Sequence, residues 1–167
     1  AVTAVLVVFA SCTRPALPQA AQLPDGTRGL TATVTHVVDG DTLDLRIDGS
    51  TERVRLLGID TPETVKPDAP VDCFGPEASA RTKVLLPPGT PVLVQRDREA
   101  RDRYGRLLLY LWRQRDGLFV NDALVRDGFA RTLSIAPNTA RRVALAASAS
   151  AARSAGAGLW TACPPEG

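Results

Sequence analysis

The feature that most constrains the fold is a run of β-branched residues on both sides of an Asp-Gly turn, TATVTHVVDGDTLDLRID, at 31–48. Apolar and polar residues alternate in each arm, which predicts two antiparallel strands, 31–38 and 42–48. A second turn follows at 48–50, and ERVRLLGI, 52–59, has the aliphatic composition of a third strand. The folded part of the chain is therefore expected to begin as a three-stranded meander, before any helix.

Helical patterns appear only after this meander. GPEASARTKVLL has a proline suited to the first helical position, and VNDALVRDG predicts a short helix with Asn121 as its N-cap. The inner face of the first helix is predicted to consist of Ala78, Thr82 and Leu85. Two further strands, PVLVQRD and RLLLYLW, and an alanine-rich third helix at 138–155 complete the set of predicted elements.

Five strands with helices at one side predict an α+β protein, a five-stranded β-barrel of the OB-fold type with about three α-helices. Such barrels often bind oligonucleotides, but a fold alone does not define a function. The composition, 44% hydrophobic and 23% charged, is ordinary for a globular domain. The balance of 20 basic against 18 acidic residues excludes no class of partner, although most of the basic residues are arginines, which suit phosphate.

The N-terminal twelve residues, AVTAVLVVFASC, are apolar and uncharged. A membrane span needs about twenty such residues, so 1–12 is predicted to be an export signal. FASC resembles a lipobox, whose cysteine, Cys12, would be acylated; an ordinary signal peptide and a buried strand are the alternatives. The Pro/Gly-rich 13–30 is predicted to be a flexible linker, 31–163 the globular domain and 164–167 a tail. The protein is expected to be secreted, or to be held by a lipid anchor at the outer face of a bacterial membrane. The anchor is the only membrane contact that the sequence predicts.

The chain has three cysteines, which fits an oxidising compartment. If Cys12 carries a lipid, Cys73 and Cys163 remain as an even pair and are predicted to form a disulfide. The closed loop of about ninety residues would be worth roughly 4 kcal/mol in the loop-entropy model.

Polar residues collect where the predicted strands end. Asp39 and Asp41 lie in VDGDT, and Asp60, Thr61 and Glu63 lie in IDTPE. Each motif has an ordinary structural interpretation, the first as a hairpin turn and the second as a turn that precedes a helix. Barrel curvature is needed to bring the two together.

Arginines accompany these acids. Arg55 lies in the third strand, where a cross-strand ion pair would explain it, and Arg103, Tyr104 and Arg106 lie in DRYGR, which reads equally as a solvated turn. One chemical hypothesis covers both groups. Oxygen ligands suit a hard cation, two arginines can clamp a phosphoryl group, and a further carboxylate can activate water. The set therefore predicts a phosphodiesterase site.

Several motifs in this order, VDGDT, RLLGIDTPE, FGPEAS and DRYGR, resemble the staphylococcal nuclease (thermonuclease) family. VNDALVRDGFA and the terminal LW also fit, so the resemblance covers about 31–161. It implies an OB-type barrel that carries a calcium-dependent, sugar-nonspecific endonuclease, which hydrolyses DNA and RNA and leaves 3′-phosphates.

By the same resemblance, each motif residue takes a role. The calcium positions fall on Asp41, Asp60 and Thr61, and the catalytic positions fall on Arg55, Glu63 and Arg106. The position that lines the nucleotide pocket falls on Tyr104. Its neighbour Arg103, in the same DRYGR motif, is predicted to bind the substrate as well.

The chain departs from the family pattern in two places. Leu133 and Ile135 in RTLSIAPN stand where nucleotide-contacting tyrosines are expected, and the loop after DTPE is replaced by a segment with Lys66 and a cysteine. These changes bear on substrate affinity rather than on catalysis.

Two other functions are compatible with the same residues. One is a non-catalytic OB-fold module that binds nucleic acid, although carboxylates repel DNA unless a metal neutralises them. The other is an envelope protein whose acids hold calcium structurally, which leaves Arg55 and Arg106 unexplained. Nothing in the sequence requires an oligomer, so a monomer is expected.

Overall fold

A computed structural model of the chain describes residues 20–64 and 71–163. The predicted export signal with Cys12, the residue Lys66 and the tail 164–167 lie outside the described residues.

Five strands form the barrel. The meander consists of β2 (Arg28–Val37), β3 (Thr42–Ile47) and β4 (Ser50–Leu56), each antiparallel to the next. The last of these runs parallel to β7 (Leu107–Arg113), which pairs with β6 (Pro91–Gln95). Pairing of β6 with β2 closes the sheet. The fold prediction, an α+β protein on a five-stranded OB-type barrel, is confirmed.

Three short pairings add to this barrel. β1 (Ala20–Gln22) pairs with β2, and β8 (Leu118–Phe119) pairs with β7. A separate ribbon joins β5 (Gly58–Asp60) to β9 (Arg131–Leu133). Because β5 follows β4 almost directly, this ribbon holds the DTPE motif beside the barrel rim.

The barrel sheet includes residues before the predicted domain boundary at residue 31. β1 and the first residues of β2 belong to the sheet, and the side chain of Leu23 between them is 2% exposed. Pro and Gly interrupt the pattern of residues 20–30, which is why the sequence predicts a linker there. Their few apolar residues nevertheless pair with an existing barrel edge.

Four helices occur in the part of the chain that the structure describes. α1 (Gly75–Leu85), α2 (Val120–Arg126) and α3 (Arg142–Ser154) correspond to the three predicted helices. A fourth, α4 (Leu159–Ala162), is a single turn that the sequence pattern did not indicate. None of the described helices is long and apolar enough to cross a membrane.

Asn121 is not the N-cap of α2, as the sequence predicted, because the cap position falls on Phe119. Its side chain is fully buried instead. The Oδ1 atom accepts a hydrogen bond from the Leu111 N–H at 3.0 Å, and Nδ2 donates to the Leu57 carbonyl at 2.8 Å. A buried amide satisfies two backbone groups in this way and ties α2 to the barrel.

The main core fills the barrel and continues beneath the helices. Predicted inner-face residues of α1, Ala78, Thr82 and Leu85, are all buried. The core includes Val34, Leu43, Leu45, Val54, Leu56, Leu111, Leu124 and Leu145. The Trp160 ring packs against the body, with the Arg153 guanidinium 4.3 Å from its ring centroid.

Candidate active site

The VDGDT turn is organised by Asp39. Its Oδ1 atom accepts hydrogen bonds from the backbone N–H groups of Asp41 (3.1 Å) and Thr42 (2.7 Å). All three residues are buried. The turn is therefore more than a solvent-exposed hairpin connection, and it fixes the backbone from which the Asp41 side chain projects.

Gly40 allows this turn to pack directly on the DTPE motif. A Cβ atom at Gly40 would lie 2.5 Å from Oγ1 of Thr61, a distance that real Cβ contacts do not show. On its other side, the Gly40 carbonyl accepts a 2.7 Å hydrogen bond from Oγ1 of Thr82 in α1. Gly40 thus lies between the second acidic motif and the first helix.

Asp41 and Thr61 make the direct contact between the two motifs. The Oδ2 atom of Asp41 accepts hydrogen bonds from the Thr61 backbone N–H at 2.8 Å and from its hydroxyl at 3.0 Å. Asp41 is 5% exposed and Thr61 8%. The structure thus brings together the two turns that the sequence placed at separate strand ends.

Arg55 connects the two candidate metal-binding carboxylates. It is the cross-strand partner of Thr42, next to Asp41, so its side chain reaches the same rim. The guanidinium forms an ion pair with Asp41, and its Nη2 atom donates to Oδ1 of Asp60 at 2.6 Å. The Arg55 side chain is only 14% exposed. Arg55 is therefore a largely buried bridge between two acids, and not half of an isolated surface pair.

The pKa of the Asp41 carboxyl depends on burial and on its hydrogen-bond and charge partners. Desolvation raises the pKa of the Asp41 carboxyl, and the Arg55 guanidinium and the Thr61 hydrogen bonds oppose that rise. A buried carboxylate requires a positive partner. The site therefore favours a cation beside Asp41.

Beside this rim lies a cleft with a volume of about 480 Å³. Arg55, Arg103, Tyr104 and Arg106 line it together, so four of the predicted site residues share one cavity. Leu133 and Ile135 lie in the same cleft and are 40% and 64% exposed. The aliphatic pair at the positions where tyrosines were expected therefore lines the same cleft as the arginines.

The DRYGR turn depends on a residue that the sequence analysis did not select, Asp102. Its Oδ1 atom accepts the backbone N–H groups of Tyr104 (3.0 Å) and Arg106 (2.9 Å), and Oδ2 accepts Nε of Arg106 at 2.7 Å. Burial acts to raise the pKa of Asp102, but these bonds leave it below its ordinary value. The sequence signal that could have identified Asp102 is its place at the first position of a turn that ends in Gly105.

Tyr104 is 68% exposed and lies among cations. Arg103 donates to its hydroxyl at 2.6 Å, and the Arg103 and Arg106 guanidinium groups lie 4.8 and 5.4 Å from its ring centroid. Aromatic and cationic groups are thus combined on one wall of the cleft.

Glu63 lies further along the DTPE motif, and the described residues that line the cleft do not include it. Its Oε1 atom accepts the N–H of Thr64 at 3.1 Å. The Glu63 backbone is bonded to Asp72, which lines a second pocket of about 320 Å³ with Asp60 and Thr61. Glu63 is therefore positioned through a different part of the chain from the arginines.

Cys73 and Cys163 are joined by a disulfide, with a Cα–Cα distance of 5.9 Å. Both cysteines line the same 320 Å³ pocket as Asp60 and Thr61. The covalent link between the residues before α1 and the end of α4 thus lies next to the candidate metal ligands.

No group of three or more His, Cys, Asp or Glu side chains within 20–64 and 71–163 is arranged to hold a metal ion. Two carboxylates nevertheless converge on one cationic group, the Arg55 guanidinium, beside Thr61. Asp41, Asp60 and the Thr61 carbonyl are oxygen donors of the kind that a hard cation accepts, with water completing its shell. The residues present therefore fit such an ion.

The two acids, the two arginines and the cleft at the rim of a closed OB-type barrel together define a barrel protein with a site suited to an anionic ligand. The chain belongs to the staphylococcal nuclease family, since the model of that family, described as Staphylococcal nuclease homologue, matches residues 53–162.

Several of its relatives carry nuclease names. The Thermonuclease of Staphylococcus intermedius is 41% identical over 133 residues, which cover 80% of this chain and 77% of that protein. The Thermonuclease of Staphylococcus hyicus is 42% identical over 105 residues, 63% of this chain and 60% of that protein. Endonuclease YncB of Bacillus subtilis (strain 168) is 40% identical over 108 residues, 64% of this chain and 50% of that protein. The chain is accordingly a hydrolase of the nuclease class, although the matched part spans only half to three quarters of these relatives.

Proposed function

We propose that this protein is a calcium-dependent, sugar-nonspecific endonuclease that hydrolyses DNA and RNA and leaves 3′-phosphates. One observation carries the proposal. Arg55 bridges Asp41 and Asp60 at the edge of the cleft that also contains Arg106. A phosphodiester in this cleft would meet paired cationic forks and concentrated carboxylate oxygens at the same place.

Calcium would be held by Asp41, Asp60 and the carbonyl of Thr61. When bound, it supplies a Lewis acid that polarises a phosphoryl oxygen. The chain prepares this position by burying Asp41 and by fixing it with two hydrogen bonds from Thr61.

Arg55 and Arg106 would orient the phosphate and stabilise the negative charge that develops on its oxygens. Each guanidinium is already held by a carboxylate, Arg55 by Asp41 and Asp60, and Arg106 by Asp102. A guanidinium has five N–H donors, so donors remain for the phosphate after these contacts. Holding both side chains in advance reduces the ordering cost of binding the substrate.

Glu63 would act as the general base. Its carboxylate takes the proton of the attacking water as the water oxygen bonds to phosphorus, and the bond from phosphorus to the 5′-oxygen breaks. The 5′-oxygen leaves with a proton from solvent, and the phosphate stays on the 3′ side.

The remaining wall of the cleft would contact the sugar and the base. Tyr104 and Arg103 offer a ring and a cation, whereas Leu133 and Ile135 offer apolar cover without a hydroxyl. These four side chains would contact a base or a sugar without distinguishing one base from another, which agrees with hydrolysis of both DNA and RNA.

Export and a monomeric state belong to the same proposal. The apolar segment 1–12 and the disulfide of Cys73 with Cys163 support an extracytoplasmic enzyme, and Cys12 would carry the lipid if the protein is anchored.

The decisive experiment is cleavage of circular plasmid DNA and of structured RNA by the purified protein, with calcium and with excess chelator. We expect calcium-dependent nicking of both substrates and products that end in 3′-phosphate. Tight binding of either substrate without cleavage would instead identify a non-catalytic module. Undiminished cleavage in chelator would exclude the metal assignment.

A further inference from the structure

We infer that Asp72 is a positioning residue for Glu63, and that the Cys73–Cys163 disulfide fixes the turn that carries Asp72. The inference rests on the proposed function, in which Glu63 is the general base.

Two hydrogen bonds join Asp72 to the backbone of Glu63, nine positions earlier in the chain. The Oδ2 atom of Asp72 accepts the Glu63 N–H at 3.1 Å, and the Asp72 N–H donates to the Glu63 carbonyl at 3.1 Å. Both backbone polar groups of Glu63 are therefore bound by one residue. Such two-point contact fixes the direction in which the Glu63 side chain leaves the backbone.

The turn that contains Asp72 packs closely on Glu63. The Gly75 N–H donates to the Asp72 carbonyl at 3.0 Å, and Phe74 between them has a φ of 68°, in the left-handed region. A Cβ atom at Gly75 would lie 2.9 Å from the Glu63 carbonyl oxygen. A non-glycine residue in the left-handed region is costly and persists only where its surroundings hold it.

Two contacts hold this turn on the body of the protein. Cys73 is bonded to Cys163, which directly follows α4, and the Phe74 ring lies 5.4 Å from that of Phe129. The N–H of Leu159, at the start of α4, donates to the Gly128 carbonyl at 2.9 Å. The disulfide thus connects the turn to a helix that is itself bonded to the loop after α2.

These contacts form a continuous support from α4, through the disulfide, to the backbone of the proposed base. Asp72, Cys73 and Cys163 also line the same pocket as Asp60 and Thr61, so the support is adjacent to the candidate metal ligands. A general base that is displaced by about 1 Å can lose on the order of a hundredfold in rate. The function of Asp72 would be to prevent that displacement.

The test is a double-mutant cycle measured as kcat and KM for plasmid cleavage in saturating calcium. We expect Asp72→Ala to lower kcat by about tenfold to a hundredfold, with KM within about twofold. In the Glu63→Gln background the same substitution should cost nothing further, because Asp72 acts only through Glu63. Asp72→Asn keeps an acceptor oxygen for the Glu63 N–H and should restore most of the rate.

Three further variants complete the design. The added methyl group of Gly75→Ala would displace the Glu63 carbonyl and should reproduce the kcat loss. This variant replaces Asp72→Ala in the test if Asp72→Ala does not fold. Asp48→Asn removes a carboxylate from the exposed turn between β3 and β4 and should leave kcat unchanged. The Cys73→Ser/Cys163→Ser pair should lower kcat in the wild-type background and have little effect on kcat in the Glu63→Gln background.

The outcomes separate this inference from the proposed function. Full activity of Glu63→Gln would overturn the role of Glu63 as the base, and with it the proposal. If Glu63→Gln is impaired but Asp72→Ala retains wild-type kcat, only the positioning role is wrong. An equal loss from Asp72→Ala in both backgrounds would show that Asp72 stabilises the fold without acting through Glu63, which also overturns the inference.

Discussion

The Thr61 backbone N–H donates to Oδ2 of Asp41 over 2.8 Å, although the two residues lie twenty positions apart in different strand-end turns. The Thr61 hydroxyl reinforces this bond on the same oxygen. Since Arg55 pairs with the same carboxylate, one buried oxygen connects both turns and the third barrel strand. The VDGDT turn, the DTPE turn and Arg55 are thus coupled through this oxygen. A substitution in one of them should therefore alter the geometry of the others.

The close packing of Gly40 on Thr61 gives the first prediction. Gly40→Ala should weaken calcium binding and destabilise the fold by about 1–3 kcal/mol, because the new methyl group must displace Thr61. Calcium titration by calorimetry and thermal unfolding are the measurements. Gly49→Ala is the control, since its φ of 82° makes alanine costly while no atom lies within 4 Å of the added carbon. Equal calcium affinities in both variants and the wild type would show that the packing does not matter to the site.

The second prediction concerns the buried carboxylate. Asp41→Ala should abolish calcium binding and cleavage, and it should also lower stability because Arg55 loses a buried partner. Asp41→Asn keeps an oxygen that can accept the Thr61 bonds, so we expect it to fold better and still to lose calcium. The control is Asp44→Asn, three residues later on β3, where the carboxylate pairs with the exposed Arg53. A wild-type calcium isotherm for Asp41→Asn would contradict the ligand assignment.

Much of this site could be predicted from the sequence because its residues lie at strand ends. The sequence predicted the hairpin of β3 and β4, and its local hydrogen-bond register pairs Thr42 with Arg55, which leaves Asp41 and Arg55 at the same rim. Proximity of Asp41 to Thr61 could only be suggested, because it depends on the curvature that closes the barrel. The motif resemblance supplied the roles, and the structure supplies the contacts.

The residues that sequence analysis missed are those whose partners are distant or whose local pattern is ambiguous. Asn121 is a residue type that often caps a helix, so the sequence predicted an N-cap. Its amide instead hydrogen-bonds to two backbone groups of the barrel, which are distant in sequence. Asp102 and Asp72 read as ordinary turn residues, and their importance lies in what they bond to. Residues 20–30 contain too few apolar positions to predict a strand from the sequence. They form strand structure because they pair at the edge of the barrel sheet.

The third prediction tests the two arginines in the cleft. Arg55→Lys and Arg106→Lys should each lower kcat by about a hundredfold or more, because an ammonium group cannot reproduce a bidentate fork on the phosphate. Folding should survive, as a charge remains beside each partner carboxylate. Arg53→Lys is the matched control, since this arginine also lies on β4 and pairs with Asp44 outside the cleft. Turnover near that of the wild type in either cleft variant would make that arginine a structural residue.

The fourth prediction concerns acid stability at Asp25. Hydrogen bonds from Thr27 lower the pKa of Asp25 from 3.8 to about 2, although its partial burial opposes the shift, and Arg141 adds a smaller effect in the same direction. A carboxyl whose pKa is lower in the folded state stabilises the protein above its ordinary pKa, and this contribution is lost as pH falls through the folded value. The difference in melting temperature between wild type and Asp25→Asn should therefore be largest above pH 4 and shrink towards pH 2. Asp48→Asn provides the comparison, and a constant Asp25→Asn difference across this range would refute the assignment.

The last prediction concerns the aliphatic wall of the cleft. Stacking of a base on an aromatic ring contributes about 1–3 kcal/mol, and neither Leu133 nor Ile135 provides a ring or a hydroxyl for a terminal phosphate. We therefore expect weak inhibition by short nucleotide phosphates but efficient cleavage of long substrates, whose additional phosphate contacts compensate. Leu133→Tyr or Ile135→Tyr should tighten the binding of a nucleoside bisphosphate in calcium, measured by calorimetry, since both side chains line the cleft and are partly exposed. Val143→Tyr is the control, because Val143 is 79% exposed on α3 and does not line the cleft, so its affinity should stay unchanged. If neither cleft variant binds more tightly than this control, the nucleotide does not contact these two positions.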